Sequence, residues 1–195
     1  MKKEYSLDNF KECFNKAAKA FLSSELIDDN DREAYLEKIK ELQVVIPSKE
    51  SHAVYSSRYI DTITRVLGCT GNKDEVVKEI PATVYTNMKS DSTVINVNPY
   101  FNDIYKDVDE NGIEALLFKS FTHELTHIFY DFLKNSESYK EFDLILEVDG
   151  NNTDNIKEEM FSEFAAFTVS QEIYKTAVNI EKEHWKHFEE KFGMN

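Results

Sequence analysis

The sequence predicts an α+β fold, rich in helix, with a small sheet beside the helix that carries its most informative motif. Three observations lead there. Long stretches place apolar residues at helical spacing, two β-branched runs separated by turn residues read as a hairpin, and soon after them comes Phe121-Thr122-His123-Glu124-Leu125-Thr126-His127. With 195 residues, 41% of them hydrophobic and only five Gly and three Pro, the chain can bury a substantial core and is too ordered in composition for a linker. The expectation is a helical N-terminal part over 1–80, of unknown role, and a part over 81–195 that carries the chemistry, together one compact unit.

From Leu7 the residues Phe10, Phe14, Ala17, Ala18, Phe21 and Leu22 recur at helical spacing, and Asp28-Asp29-Asn30-Asp31 is expected to end that helix and cap the next. Ala34, Leu36, Ile39 and Leu42 continue as a second helix. Gln43 to Ile46 reads as a short strand halted by Pro47, and Tyr59 to Leu67 as a helix ending at Gly68. His52 falls in a polar loop and is expected to be an exposed histidine. Ala82-Thr83-Val84-Tyr85-Thr86 and Thr93-Val94-Ile95-Asn96-Val97-Asn98 form the hairpin. A strand there can be a sheet edge that takes an extended peptide by strand addition, the alternative being an ordinary buried strand.

After Asp109 as N-cap, a helix is expected from Glu110 to Leu133, with Ile113, Leu117, Phe121, Leu125, Ile128 and Phe132 on one stripe. At 100° per residue that stripe lies opposite His123 and His127, which therefore look out from the core, with Tyr130 on the histidine side. Ser136-Glu137-Ser138 reads as the cap of a helix through Phe142, Ile145 and Leu146, and Asp149-Gly150-Asn151-Asn152 as a turn. The final stretch, Ile173 to Phe192, is charged and aromatic in helical order; His184 and His187 in it read as a solvated face rather than a second metal site.

The histidine motif carries the chemistry. Positions i and i+4 share one helix face, so His123 and His127 can reach one ion, with Glu124 beside it to take a proton from water. One zinc is the expected metal, and a third ligand is needed. Glu159 is the choice from the segment Glu158-Glu159-Met160-Phe161-Ser162-Glu163, with Glu163 as a partner that fixes a ligand histidine's tautomer. Glu158 and Glu163 stand as rival ligands, because spacing alone does not set helix rotation.

A formal charge of −14 with no Lys/Arg cluster argues against a nucleic-acid partner, since such binding depends on clustered cations that release counterions. No stretch approaches the ~20 apolar residues of a membrane span. Cys13 and Cys69 are too few for a disulfide framework and read as reduced thiols, so a soluble cytoplasmic chain is the expectation.

These residues resemble the gluzincin metallopeptidases, in which His-Glu-x-x-His supplies two zinc ligands and a glutamate on a later helix the third. Residue by residue, His123 and His127 match the ligands, Glu124 the general base and Glu159 the third ligand. Glu159-Met160-Phe161-Ser162-Glu163-Phe164-Ala165 is most similar to the Glu-Phe-Phe-Ala-Glu signature of the anthrax lethal factor catalytic domain and the Pro-Pro endopeptidases. That favours Glu159 over its rivals and gives Glu163 the orienting role. The resemblance implies a zincin-like domain that hydrolyses peptide bonds in a peptide or protein substrate. It covers about the last half of the chain. In that group a tyrosine about two helical turns before the third ligand stabilises the oxyanion. Here that position is near Asn152, with no tyrosine between Tyr139 and Tyr174, so Tyr174, His184 and His187 are the substitutes to consider. Intracellular regulatory peptidases of the ImmA/IrrE type are a second resemblance. Two other expectations stand beside these: an idle zincin-like module that binds a partner, and a helical interaction protein in which the motif is accidental.

Overall fold

The computed structural model describes residues 4–54, 56, 72–81, 83–89, 92–146 and 154–193. The elements are α1 (Leu7–Ser23), α2 (Arg32–Glu41), β1 (Gln43–Val45), α3 (Lys73–Glu79), β2 (Val84–Lys89), β3 (Ser92–Val97), α4 (Phe101–Ile104), α5 (Glu110–Leu133), α6 (Glu137–Leu146) and α7 (Asp154–Phe192). The fold is thus helix-rich with one small mixed sheet, of the α+β class. No described helix is long and apolar enough to cross a membrane.

The axis of the molecule is α5. Asp109 caps it by accepting from the Gly112 amide at 2.7 Å, and the helix runs from Glu110 to Leu133 as its apolar period predicts. α1 lies along it, started by a Ser6–Asn9 capping box. Phe14 meets Phe121 edge-on at 5.6 Å and Phe21 stacks on Phe129 at 6.1 Å, so aromatic pairs two turns apart join the helices lengthwise. Phe10, Phe14, Ala17, Ala18 and Phe21 are all buried there. Residues on both sides of position 80 share this core, and the parallel pairing of β1 with β3 carries the sheet across it.

The strand order is β1-β3-β2, with β2 antiparallel to β3. The hairpin forms, and of its two strands β3 is central while β2 lies at the edge. Cross-strand partners share a face, so Val44, Ile95 and Thr86 form one row. Ile95 in this row is fully buried, and Thr86 at its end meets the histidine helix.

Several expectations shift. α1 stops at Ser23, where the Ser24 hydroxyl and amide both turn back to the Phe21 carbonyl, so the Asp28–Asp31 run lies beyond the helix end. Asp31 precedes α2 but makes no side-chain cap there. Phe132 is half exposed, with the Lys38 ammonium 3.6 Å from its ring centre, because the core stripe drifts with the 3.6-residue turn onto Phe129 and Leu133. His52 is buried, not exposed: residues 49–54 are helical, and its Nδ1 lies 3.1 Å from the Tyr85 hydroxyl. Ser136 caps α6 by accepting from the Tyr139 amide. The expected helix over Tyr59–Leu67, Cys69 and the turn at Asp149–Asn152 lie outside the described residues.

Candidate metal centre

Two helices build the site. α5 packs most extensively on α7, where Phe161, Ser162, Ala165 and Ala166 are fully buried, and the small side chains let the helices approach closely. Within α5 the buried Thr122 and Thr126 hydroxyls donate to the Phe118 and Thr122 carbonyls, so no polar group competes with the histidines beside them.

His123 and His127 present their Nε2 atoms to each other at 3.0 Å. The Glu159 carboxylate straddles the pair, 3.4 Å from the His123 Nε2 and 3.6 Å from the His127 Nε2. One donor atom from each of the three lies within 4.8 Å of the others. Both Nδ1 atoms face carboxylates: His127 Nδ1 is 2.7 Å from Glu158, and His123 Nδ1 is 3.3 Å from Glu163. The second contact has ion-pair distance without good hydrogen-bond direction. A carboxylate beside each Nδ1 favours the tautomer with its proton there, which leaves the Nε2 lone pairs facing inward. Two lone pairs at that separation repel unless a cation sits between them. Two histidines on one tetrahedral zinc span about 3.3 Å, close to the observed gap, so the donor set fits a zinc ion in number, type and spacing.

Without a metal, a proton performs the same task. Burial pulls His123 down, but the nearby Glu159 and Glu163 carboxylates outweigh it and raise its pKa to about 9. His127 is raised in the same way, against burial, by Glu159 and Glu158. Glu159 is held well below the usual carboxylate range by the two imidazoles. Glu163 resists burial and falls to about 2 through His123, Tyr174 and Lys119. Glu124 behaves in the opposite sense: burial raises it, partly countered by the Thr86 hydroxyl that donates to it from β2.

Behind Glu163 stands a network that the sequence did not disclose. The Lys119 ammonium, one helical turn before His123 and only 7% exposed, lies 3.0 Å from Glu163 and 2.8 Å from Glu181. Tyr174 donates its hydroxyl to Glu163 as well. Glu163 and Glu181 are eighteen residues apart, about 27 Å along a straight helix at 1.5 Å per residue, beyond the reach of two glutamates on one ammonium. α7 meets this requirement by breaking at Gln171, where φ is 0° and ψ −68°. The arm with Glu158, Glu159 and Glu163 and the arm from Tyr174 onward therefore converge on Lys119.

All five residues singled out from the sequence come together: His123, His127 and Glu159 at the centre, Glu163 behind His123, and Glu124 on the side facing β2. Glu158, a rival ligand in the sequence, instead backs His127. Tyr174 is engaged by Glu163 rather than directed at the centre. His184 donates from Nδ1 to the Ile180 carbonyl and, with His187, lines a separate cavity. Tyr130 packs against Tyr139 and Phe161. Asn152 lies outside the described residues. Thr86, Lys119 and the role of Glu158 left no sequence signal, because each depends on how distant elements pack. No family model matches the chain, and no curated protein or solved structure is significantly similar to it.

Proposed function

We propose that the chain is a zinc-dependent metallopeptidase of the gluzincin type with a zincin-like domain, holding one zinc on His123, His127 and Glu159. One observation carries this. Two imidazole nitrogens and a carboxylate converge on a point, each imidazole is backed by its own carboxylate, and a further, half-buried carboxylate, Glu124, lies alongside. Bound there, zinc supplies Lewis acidity that lowers the pKa of a water from about 15.7 towards about 7 and polarises a carbonyl. Glu158 and Glu163 keep both imidazoles in the tautomer that leaves Nε2 free to donate. Glu124 takes the proton of the attacking water and returns it to the leaving amine, a contribution of about 10²–10⁴-fold. Thr86 fixes one of the Glu124 oxygens. The substrate is a peptide or protein, bound on the side of the centre where Thr86 of β2 meets Glu124.

A second reading is a metal-holding module that binds a partner without cleaving it, or a regulatory peptidase of narrow specificity. One observation favours it: the Tyr174 hydroxyl is spent on Glu163 and is not available to an oxyanion. Glu124→Gln, close to isosteric, separates the readings. Offered a broad peptide library, zinc-loaded wild type is expected to cleave, and the variant to keep zinc while losing about 100-fold or more in rate. Fully loaded wild type that cleaves nothing favours the idle module, and a variant that cleaves at the wild-type rate contradicts the role given to Glu124.

A further inference from the structure

On the side of the sheet away from β2 the outer strand is β1. β1 and β2 are the two outer strands, and β1 borders a groove of about 740 Å3 between α1 and α2. Gln43, Val44 and Val45 all line that groove. Among the described residues β1 has no strand on its outer side, so that edge is open to a further strand. The walls are apolar, with Phe14 and Leu22 from α1 and Leu36 and Ile39 from α2. Leu36 is 40% exposed, and Ile46, just after β1, 41%.

The charge at this groove runs against the rest of the chain. Acidic residues outnumber basic ones 37 to 23 overall, yet the ionisable residues lining the groove are all lysines, Lys11, Lys19 and Lys40. Lys40 is paired with Glu37, while Lys11 and Lys19 have no carboxylate at ion-pair distance among the described residues. Eight residues separate these two on α1, about 12 Å along the helix. On an extended peptide, side chains at i and i+4 share a face and lie about 13 Å apart.

From this match we infer that the groove docks an extended peptide segment that adds to β1 as a strand. An apolar side chain of the segment enters the groove between two carboxylates four residues apart, which meet Lys11 and Lys19. Backbone pairing gives the affinity, and the lysines select acidic over basic segments. The site lies on the opposite edge of the sheet from β2, so it does not depend on peptide cleavage.

Fluorescence anisotropy with a labelled Ser-Glu-Thr-Ile-Thr-Glu-Ser peptide tests it, using the Glu124→Gln chain so that binding is read without turnover. Saturable binding is expected. It should weaken about tenfold or more when both Glu are replaced by Lys, when alternate backbone amides are N-methylated, or when the chain carries Lys11→Glu with Lys19→Glu. Both lysines are exposed on α1, and an unchanged circular dichroism spectrum confirms that the double variant folds. Absence of saturable binding up to about 1 mM overturns the inference. So does binding that survives the double charge reversal, which places the peptide elsewhere, such as along β2. A chain that dimerises through this groove without peptide overturns it too, because the occupant is then a second copy.

Discussion

Glu158 and Glu163 act alike at the level of single side chains, each facing the Nδ1 of one histidine. Replacing either by Gln leaves all three donors in place, so zinc affinity should fall by about 10–100-fold without being abolished, as competition with a chelator would show. Unchanged affinity would show that neither carboxylate supports its histidine. The imidazoles also set a pH dependence. In the metal-free chain His123 is raised to about 9, so its charged pairing stabilises the fold fully below the free-chain value of about 6.5 and is lost as pH rises through about 9. Zinc must displace that proton. Its apparent affinity should therefore climb with pH, by up to about tenfold per unit for each proton displaced, and level off above about 9. A titration series showing affinity flat between pH 7 and 9 would contradict this. The donors themselves were legible in the sequence because i, i+4 spacing is a property of one helix. The partner of each Nδ1 was legible only for Glu163, since the rotation of α7 against α5 decides whether Glu158 is a ligand or a support.

At the scale of elements, the break in α7 decides how the site is held. One buried ammonium joins its two arms, and removing it leaves the Glu163 and Glu181 carboxylates close together with nothing to neutralise them. Lys119→Met should cost about 3 kcal/mol in urea unfolding, and adding Glu181→Gln should recover part of it. A loss under about 0.5 kcal/mol would show that the arms do not depend on this contact. The start of α5 is equally tight. A Cβ at Gly112 would lie 2.7 Å from Val108 Cγ1 and 2.9 Å from Ile180 Cδ1, so both side chains must shift to admit a methyl there. Gly112→Ala is expected to lower stability by about 1–3 kcal/mol despite alanine's better helix propensity, and a higher melting temperature would refute the close approach. Periodicity showed the helices but not this break, because no Gly or Pro marks Gln171. A change in composition near Ile173 was the only trace of a new segment.

For the molecule as a whole, the N-terminal residues without recognisable motif are part of the support for the site. Phe14 and Phe21 cover Phe121 and Phe129 on the helix that carries the histidines, and β1 completes the sheet. A chain limited to residues 81–195 should therefore show no cooperative thermal unfolding; a sharp transition like that of the full chain would show that this part folds alone. The helix-rich α+β class was legible because local periods and turn residues report it. The burial of His52 and the placing of β2 at the edge were not, since both are set by long-range packing. If His123, His127 and Glu159 together hold one zinc, metal analysis of the protein dialysed against zinc and then against zinc-free buffer will find it. One zinc per chain is expected, lost in His123→Ala, His127→Ala and Glu159→Ala while the circular dichroism spectrum is kept. A folded wild-type chain that retains no zinc, or a Glu159→Ala chain that holds it with wild-type affinity, would contradict the account.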